Sequence, residues 1–377
     1  MTGPRPLDSR PPGWRLVGVD AARAVALTGM FAAHTLPLVA GDGGESLTGL
    51  LADGRASALF AVLAGVGIAL STRGVTDARS HTAAGAGLVV RGLLVGLLGL
   101  ALVGLRPPVA VILAYYGLLF LVAIPVLRVR AGALAAGAAL MSVAGPVLSH
   151  VLRTGLPDGP GPQAGLGSLA EPGQLLVTLA LTGYYPVLPW TAYLLAGMAV
   201  GRLDLRSPRV AAGLLGGGTA VAVLASVTSA VLVGIGAAAL DPGELADRQY
   251  GSTPTDTWWW LVIDAPHSGT PLDLAHTTGT ALAVLGLALL LARWAPAVVW
   301  VPAAVGAIPL TLYALHVVLL EASPTQGTST LLGHLAGAVL LGVLVRVTGV
   351  RGPLEALMAA CARAARLAVG NQPSVRS

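Results

Sequence analysis

Residues 16–34 read Leu16-Val-Gly-Val-Asp20-Ala-Ala-Arg23-Ala-Val-Ala-Leu-Thr-Gly-Met30-Phe-Ala-Ala-His34, an apolar run that carries an aspartate, an arginine and a histidine. A run of that length and composition is a candidate bilayer-spanning helix. Ionisable groups inside a span are costly enough to mark a functional site by default. Asp20 and Arg23 are three residues apart, so they share a helix face and can pair. His34 follows three turns after Arg23, roughly 16 Å along the axis. The stretch therefore offers an anion anchor at one depth and a proton-handling group at another.

The rest of the chain has the same character. Of its 377 residues 55% are hydrophobic and 10% charged, with a mean hydropathy of +0.79, which describes a polytopic membrane protein and not a soluble domain. All 22 basic residues are arginine, and they are scattered over short loops, so the formal charge of +5 does not imply nucleic acid. The single cysteine, Cys361, excludes an intramolecular disulfide and any cysteine-based metal cluster. Residues 1–15 carry Arg5, Arg10 and Arg15 ahead of the first apolar run, without a small-residue cleavage site after it. The first span therefore reads as a retained signal anchor.

Ten spans are placed near 16–39, 56–72, 83–105, 108–127, 131–152, 184–202, 210–236, 276–294, 298–319 and 330–350. The expected fold is all-α: a polytopic helical bundle of about ten transmembrane helices in the cell membrane, with both termini cytoplasmic. With the N-terminus inside, only Arg55, Arg106, Arg153 and Arg248 fall on the outer side, Arg23 and Arg91 lie within spans, and every other arginine is inside. The organisation expected is a cytoplasmic segment 1–15, a spanning domain 16–350 and a cytoplasmic amphipathic tail 351–377. Arg363 and Arg366 favour a tail helix on the membrane surface; an eleventh span is the alternative. The loop 237–275 carries Trp258-Trp259-Trp260 and then Asp264-Ala-Pro-His267-Ser-Gly-Thr270. The tryptophans read either as an interfacial belt or as a cap over an outward-facing cleft.

His34 is the leading candidate for a catalytic base, with a helix-end histidine beside Pro37 as the structural alternative. His316, in Leu310-Thr-Leu-Tyr-Ala-Leu-His316, is placed at a similar depth and reads equally as a site member or as a packing residue. His150, His267, His276 and His334 read first as solvated loop or helix-end residues. Arg91, in the inner half of the third span, either joins Arg23 in holding an anion such as phosphate, for which the planar guanidinium fork is suited, or snorkels to the interface. Arg55 opens the second span and either binds an acidic acceptor or terminates the span. No HxxxH or HExxH spacing supports a metal site, and none is expected.

Together these residues resemble a family. Arg23, ten intervening residues and His34 in the first span are similar to the transmembrane acyltransferases. These include bacterial membrane proteins like heparan-alpha-glucosaminide N-acetyltransferase, and the acyltransferase family 3 enzymes that acylate glycans. Asp20, Arg23 and Ala26 match the first-span pattern, and Leu59-Phe60-Ala-Val-Leu63-Ala-Gly65 matches the second. Ile112-Leu-Ala-Tyr-Tyr-Gly-Leu-Leu-Phe120, Gly183-Tyr-Tyr-Pro-Val-Leu-Pro-Trp190, Ala196-Gly-Met-Ala-Val-Gly-Arg202 and Ile308-Pro-Leu-Thr-Leu-Tyr-Ala-Leu-His316 extend the likeness over most of the chain. Ala24 departs from the glycine usual after the arginine, and the extra luminal domain of the animal lysosomal enzyme is lacking.

The resemblance implies transfer of an acyl group, usually acetyl, from acetyl-CoA or another acyl-CoA to an amine or hydroxyl of an extracytoplasmic glycan or lipid-linked sugar. It implies that Asp20, Arg23 and Arg91 hold the CoA moiety. His34, with His316, would be catalytic, as general base or as an acylated nucleophile. Arg55, Trp190 and His267 are the candidates on the acceptor side, and Tyr313, His316 and Thr311 for the oxyanion. Acyl-CoA, the sugar acceptor and membrane lipids are the expected partners, nucleic acid is not, and small-xxx-small pairs permit a homodimer. The rival readings are a transporter or flippase coupled through Asp20 and Arg23, and a non-catalytic scaffold.

Overall fold

A computed structural model describes residues 16–370 apart from 42, 157–158, 242, 244, 246–248 and 324. The N-terminal segment 1–15 and the end of the tail, 371–377, lie outside the described residues. The helices are α1 (Val17–Thr35), α2 (Leu47–Ala52), α3 (Arg55–Ser71), α4 (Ala78–Val103), α5 (Leu113–Val122), α6 (Ala131–Arg153) and α7 (Pro172–Val177). They continue as α8 (Val187–Gly201), α9 (Pro208–Gly236), α10 (Pro271–Trp294), α11 (Pro296–Val305), α12 (Pro309–Ala322), α13 (Thr328–Thr348) and α14 (Pro353–Gly370). Among the described residues the only β pairing is one isolated bridge between Val39 and Glu45.

Among the described residues six helical units are long and apolar enough to cross a bilayer: Leu47–Ser71 (α2 with α3), α4, α6, α9 with its short extension, α10 and α13. The number rises to eight if each of two bent pairs counts as one span. One pair is Pro172–Thr182 with α8, bent by 62°, and the other is α11 with α12, bent by 59°. The two further segments of the sequence-derived ten are α1, whose hydropathy is diluted by Asp20, Arg23 and His34, and α5, which has only 10 residues. Proline accounts for the breaks. It lacks the amide that would continue the ladder, so Pro186 precedes α8 and Pro309 opens α12.

α1 is the axis of the bundle, packed by α3, α10, α11, α12 and α13. Ala22, Ala26 and Leu27 on α1 are wholly buried. The approach of α11 is close enough that only glycine fits at 306, where the backbone meets the Asp20 carbonyl and the Ala24 amide. The most extensive helix pairing, α9 with α10, uses the same device. A Cβ on Gly218 would stand 2.6 Å from the Gly279 carbonyl oxygen, and one on Gly279 would stand 2.6 Å from that of Gly218. Small residues at such crossings let helices approach where lipid supplies no hydrophobic drive. Gly279→Leu is therefore expected to destabilise the bundle by at least the ~1–3 kcal/mol typical of overpacking, read as a lower unfolding temperature in detergent.

The loop after α9 is an ordered cap. Trp260 is fully buried with its indole N–H on Asp256 Oδ1 at 2.8 Å, and it forms a small core with Leu240 and Ile263. Trp259 packs on Gly236, while Trp258, 57% exposed, stacks on His150. Burial thus favours the cap reading over an interfacial belt, which suits Trp258 alone. The tail helix α14 buries Met358 and Ala362 and runs along α4, with the Ala362 carbonyl and Arg366 against Gly87.

Candidate active site

The last turn of α1 carries His34, and α12 and α13 bring His316 and His334 to the same level. His34 Nδ1 lies 3.1 Å from His316 Nε2, and His316 Nδ1 lies 2.7 Å from His334 Nδ1. Phe31, one turn earlier on α1, stacks on the His316 ring with centroids 4.1 Å apart. Each bond in this string needs one protonated and one bare nitrogen. When His34 Nδ1–H donates to His316, His316 Nδ1–H donates to His334, and His34 Nε2 is left with a free lone pair. That Nε2 has no hydrogen-bond partner among the described residues. His316 bonds to both other rings through its two different nitrogens, and no group of three or more His, Cys, Asp or Glu among the described residues is placed to hold a metal ion.

His34 lines a small cavity of about 30 Å³ with Ser57, Asp53, Tyr185, Tyr313 and His267. That exceeds the ~10–15 Å³ one water needs. The α2–α3 junction builds one wall. Gly54 turns the chain with φ of 68°, a conformation glycine adopts without cost, and a Cβ there would crowd Pro266 and His267. The turn aims the Gly54 amide and the Asp53 carboxylate at His267 Nε2, at 3.2 and 3.3 Å. His267 Nε2 accepts from Gly54 when bare and donates to Asp53 when protonated. His267 itself has φ of 61°, rare for a residue with a side chain, and its carbonyl is held by the Gly251 amide at 2.7 Å. Strained backbone of this kind clusters at functional sites. Tyr185 comes from the break before α8, in the bent apolar unit that starts at Pro172; irregular backbone in such a unit is tolerated where it lines a cavity. Tyr313 Oη accepts the Ile112 amide at 3.3 Å.

A second polar chain lies beside the first. Arg55 Nε donates to His276 Nε2 at 3.2 Å, His276 Nδ1 meets Ser226 Oγ at 2.5 Å, and Ser226 Oγ donates to Asp264 Oδ2 at 2.6 Å. All directions agree: a bare Nε2 on His276 places the ring proton on Nδ1, facing a serine whose own proton is given to the carboxylate. The cap, α9, α10 and α3 thus cooperate to fix one arginine.

At the opposite end of α1, Asp20 and Arg23 pair at 2.5 Å, with the aspartate side chain 8% exposed. Arg91 lies over the Phe120 ring at 5.2 Å, in the field of Arg23, Arg366 and Glu355. Glu355 of the tail caps α12, accepting from the Leu310 and Thr311 amides at 2.8 and 3.1 Å and from the Thr311 hydroxyl at 2.5 Å. A carboxylate there complements the exposed amides and the helix dipole.

Of the residues singled out in the sequence, His34 and His267 line the cavity and His316 stands directly behind His34. Arg55 is in the adjoining polar chain, and Asp20, Arg23 and Arg91 group at the other end. Trp190 does not line the His34 cavity: it is 4% exposed and packed edge-on against Tyr185 and Tyr193, at 5.1 and 5.2 Å. It supports Tyr185 from behind. Sequence reasoning missed Asp53, although an Asp-Gly pair immediately before Arg55 signals a turn at a span entrance. It also missed the Ser226–Asp264 chain, and it read His334 as a helix-end residue.

A helical membrane bundle with ionisable side chains gathered at both ends of one internal helix defines an integral-membrane protein with a polar, buried site. The chain belongs to the catalytic-domain family of heparan-alpha-glucosaminide N-acetyltransferase, whose family model matches residues 15–233. That places it among membrane acyltransferases. The match covers α1 to most of α9, and α10, α12 and α13, with His276, His316 and His334, lie beyond it. No curated protein matches the chain.

Proposed function

We propose that this protein transfers an acyl group, acetyl in the first instance, from acyl-CoA to a hydroxyl or amine of a sugar presented at the His34 end of α1, with that end facing outward and both termini in the cytoplasm. The observation that carries the reading is His34: one ring nitrogen is held by His316 while the other is unpartnered beside a small polar cavity. His34 Nε2 takes the proton of the acceptor as its oxygen or nitrogen attacks the acyl carbon; the thioester C–S bond then breaks, and CoA leaves as a thiolate that takes up the proton held on His34. The Asp53 carboxylate, on the same cavity, favours the imidazolium that forms. Tyr313, which lines the cavity and whose hydroxyl accepts the Ile112 amide while keeping its own proton to donate, is the donor for a developing oxyanion.

At the inner end the side chains suit an anionic donor. Arg23, Arg91 and Arg366 gather positive charge against two carboxylates, Asp20 and Glu355. Acyl-CoA supplies the acyl group as a thioester, and Arg23 and Arg91 hold its phosphates. The distance between the ends, roughly 16 Å along α1, is within the reach of an extended pantetheine arm.

The test is transfer of radiolabelled acetyl from acetyl-CoA to glucosamine and its glycosides by protein in proteoliposomes, alongside equilibrium binding of acetyl-CoA in detergent. Arg23→Ala is expected to weaken acetyl-CoA binding about tenfold or more, the loss of one charge-assisted contact of ~1.5–3 kcal/mol. Unchanged binding in the folded variant would remove Arg23 from the donor site.

A further inference from the structure

The His34 cavity is too small for more than a reacting group. Directly beside it is a far larger groove of about 840 Å³, running between α1, α2, α3, α10, α11 and α13. Ala52 and Ala56 line both spaces, so the α2–α3 junction is the partition between them. The groove walls are hydrocarbon: Val25, Leu47, Leu51, Val301 and Val339 all face it, at 48, 72, 66, 37 and 39% exposure. Its only titratable lining groups are Arg55 and His276, among the described residues.

Arg55 is the informative one. An arginine inside a helical unit apolar enough to span a bilayer, as Arg55 is in Leu47–Ser71, is expensive and normally faces a partner or a substrate path. This one makes no ion pair among the described residues; its contacts are the His276 ring and the Asp53 carbonyl. The serine-relayed chain to Asp264 holds the His276 ring and, through it, Arg55 Nε. A guanidinium so oriented, at the boundary between an apolar groove and a polar cavity, matches a molecule with a hydrocarbon chain on one side of a phosphate and a sugar on the other. The bidentate fork suits phosphate oxygens. The pantetheine arm, with its two amides, does not match walls this apolar.

From these contacts we infer that the acceptor is a lipid-linked sugar. Its hydrocarbon chain lies in the lateral groove, its phosphate on Arg55, and the reacting hydroxyl or amine of its sugar at the His34 cavity. This rests on the acyl-transfer reading and narrows its substrate to one delivered from within the membrane.

The experiment is binding of a synthetic decaprenyl-phosphate glucosamine to the purified full chain in detergent, with no acyl donor present. Competition uses glucosamine 1-phosphate and phosphatidylglycerol. The expected result is saturable binding that neither competitor displaces. Arg55→Gln should weaken it about tenfold or more, while binding of an uncharged decaprenyl glucosaminide stays unchanged. Val25→Trp, which fills the groove from an exposed position and leaves the polar chains intact, should weaken both ligands. Two results overturn the inference: wild-type affinity in both variants, or displacement by an equal amount of phosphatidylglycerol, which would make the groove an ordinary bilayer-lipid site. Because the readout omits acyl transfer, the two readings fail separately. Intact probe binding with no acetylation of any sugar counts against the acyl-transfer reading. Acetylation of soluble sugars with no probe binding counts against this one.

Discussion

His34→Ala is expected to lower kcat for acyl transfer by ~10²–10⁴-fold, the usual contribution of a positioned general base, while acetyl-CoA binding in detergent stays at the wild-type level. The two readouts separate because the residues proposed for the donor, Arg23 and Arg91, group at the other end of α1 and share no contact with His34. His34→Gln preserves a hydrogen bond to His316 but supplies no base, so it should be as inactive as alanine. Full transfer by either variant would remove His34 from the chemistry and return weight to a transporter that uses Asp20 and Arg23 as a coupling pair.

The second large effect falls on a residue outside the cavity. His316 is 1% exposed and stacked on Phe31, and we assign it a positioning role: it holds His34 Nδ1 and so determines which nitrogen is bare. Losing the group that orients a catalytic imidazole costs up to ~10⁴-fold in kcat where that group is a carboxylate. A neutral imidazole is a weaker partner, so His316→Leu should lower kcat by about 10²-fold with KM for acetyl-CoA unchanged. His316→Gln should recover part of that loss, because its amide oxygen accepts from His34 Nδ1–H. A residue that merely packed would give the reverse order, since leucine suits an apolar, buried position and an amide does not. Better activity in the leucine variant would therefore sink the assignment.

The helical class and its membrane setting were legible in composition alone, because apolar runs near 20 residues carry their own length standard. The edges of those runs were not. The span read as 184–202 begins inside a bent unit whose first half starts at Pro172, and the run read as 298–319 is two helices. Hydropathy averages over a window and cannot register a turn at Ile308–Pro309. At the site, Asp20, Arg23 and His34 stood out because a charge in a greasy helix contradicts its surroundings. Asp53 did not, since it sits in a segment that reads as a polar loop, where a carboxylate is unremarked, and Asp264 was noted only as part of the loop after the tryptophans, because its partner Ser226 lies 38 residues away on α9. His334 was invisible for another reason. It lies on a helix with little burial elsewhere, and its partner is 18 residues away on a different helix. Only tertiary contact makes it part of a string.

The close meeting of Gly306 with the Asp20 backbone has a bearing on how the chain is made. α1 is synthesised before the helices that bury it, yet it is among the least hydrophobic of the bundle's long helices, and the surfaces that cover it belong largely to α10–α13. A nascent chain therefore carries a weakly inserting first segment through most of its synthesis, with the Asp20–Arg23 pair muting its charge. Quality-control proteases that sample unassembled helices would see it as unfinished until Gly306 arrives. A gene fragment limited to the region that matches the family, residues 15–233, would encode His34 without the helices that seat it. Such a fragment should be degraded in cells before it could be assayed.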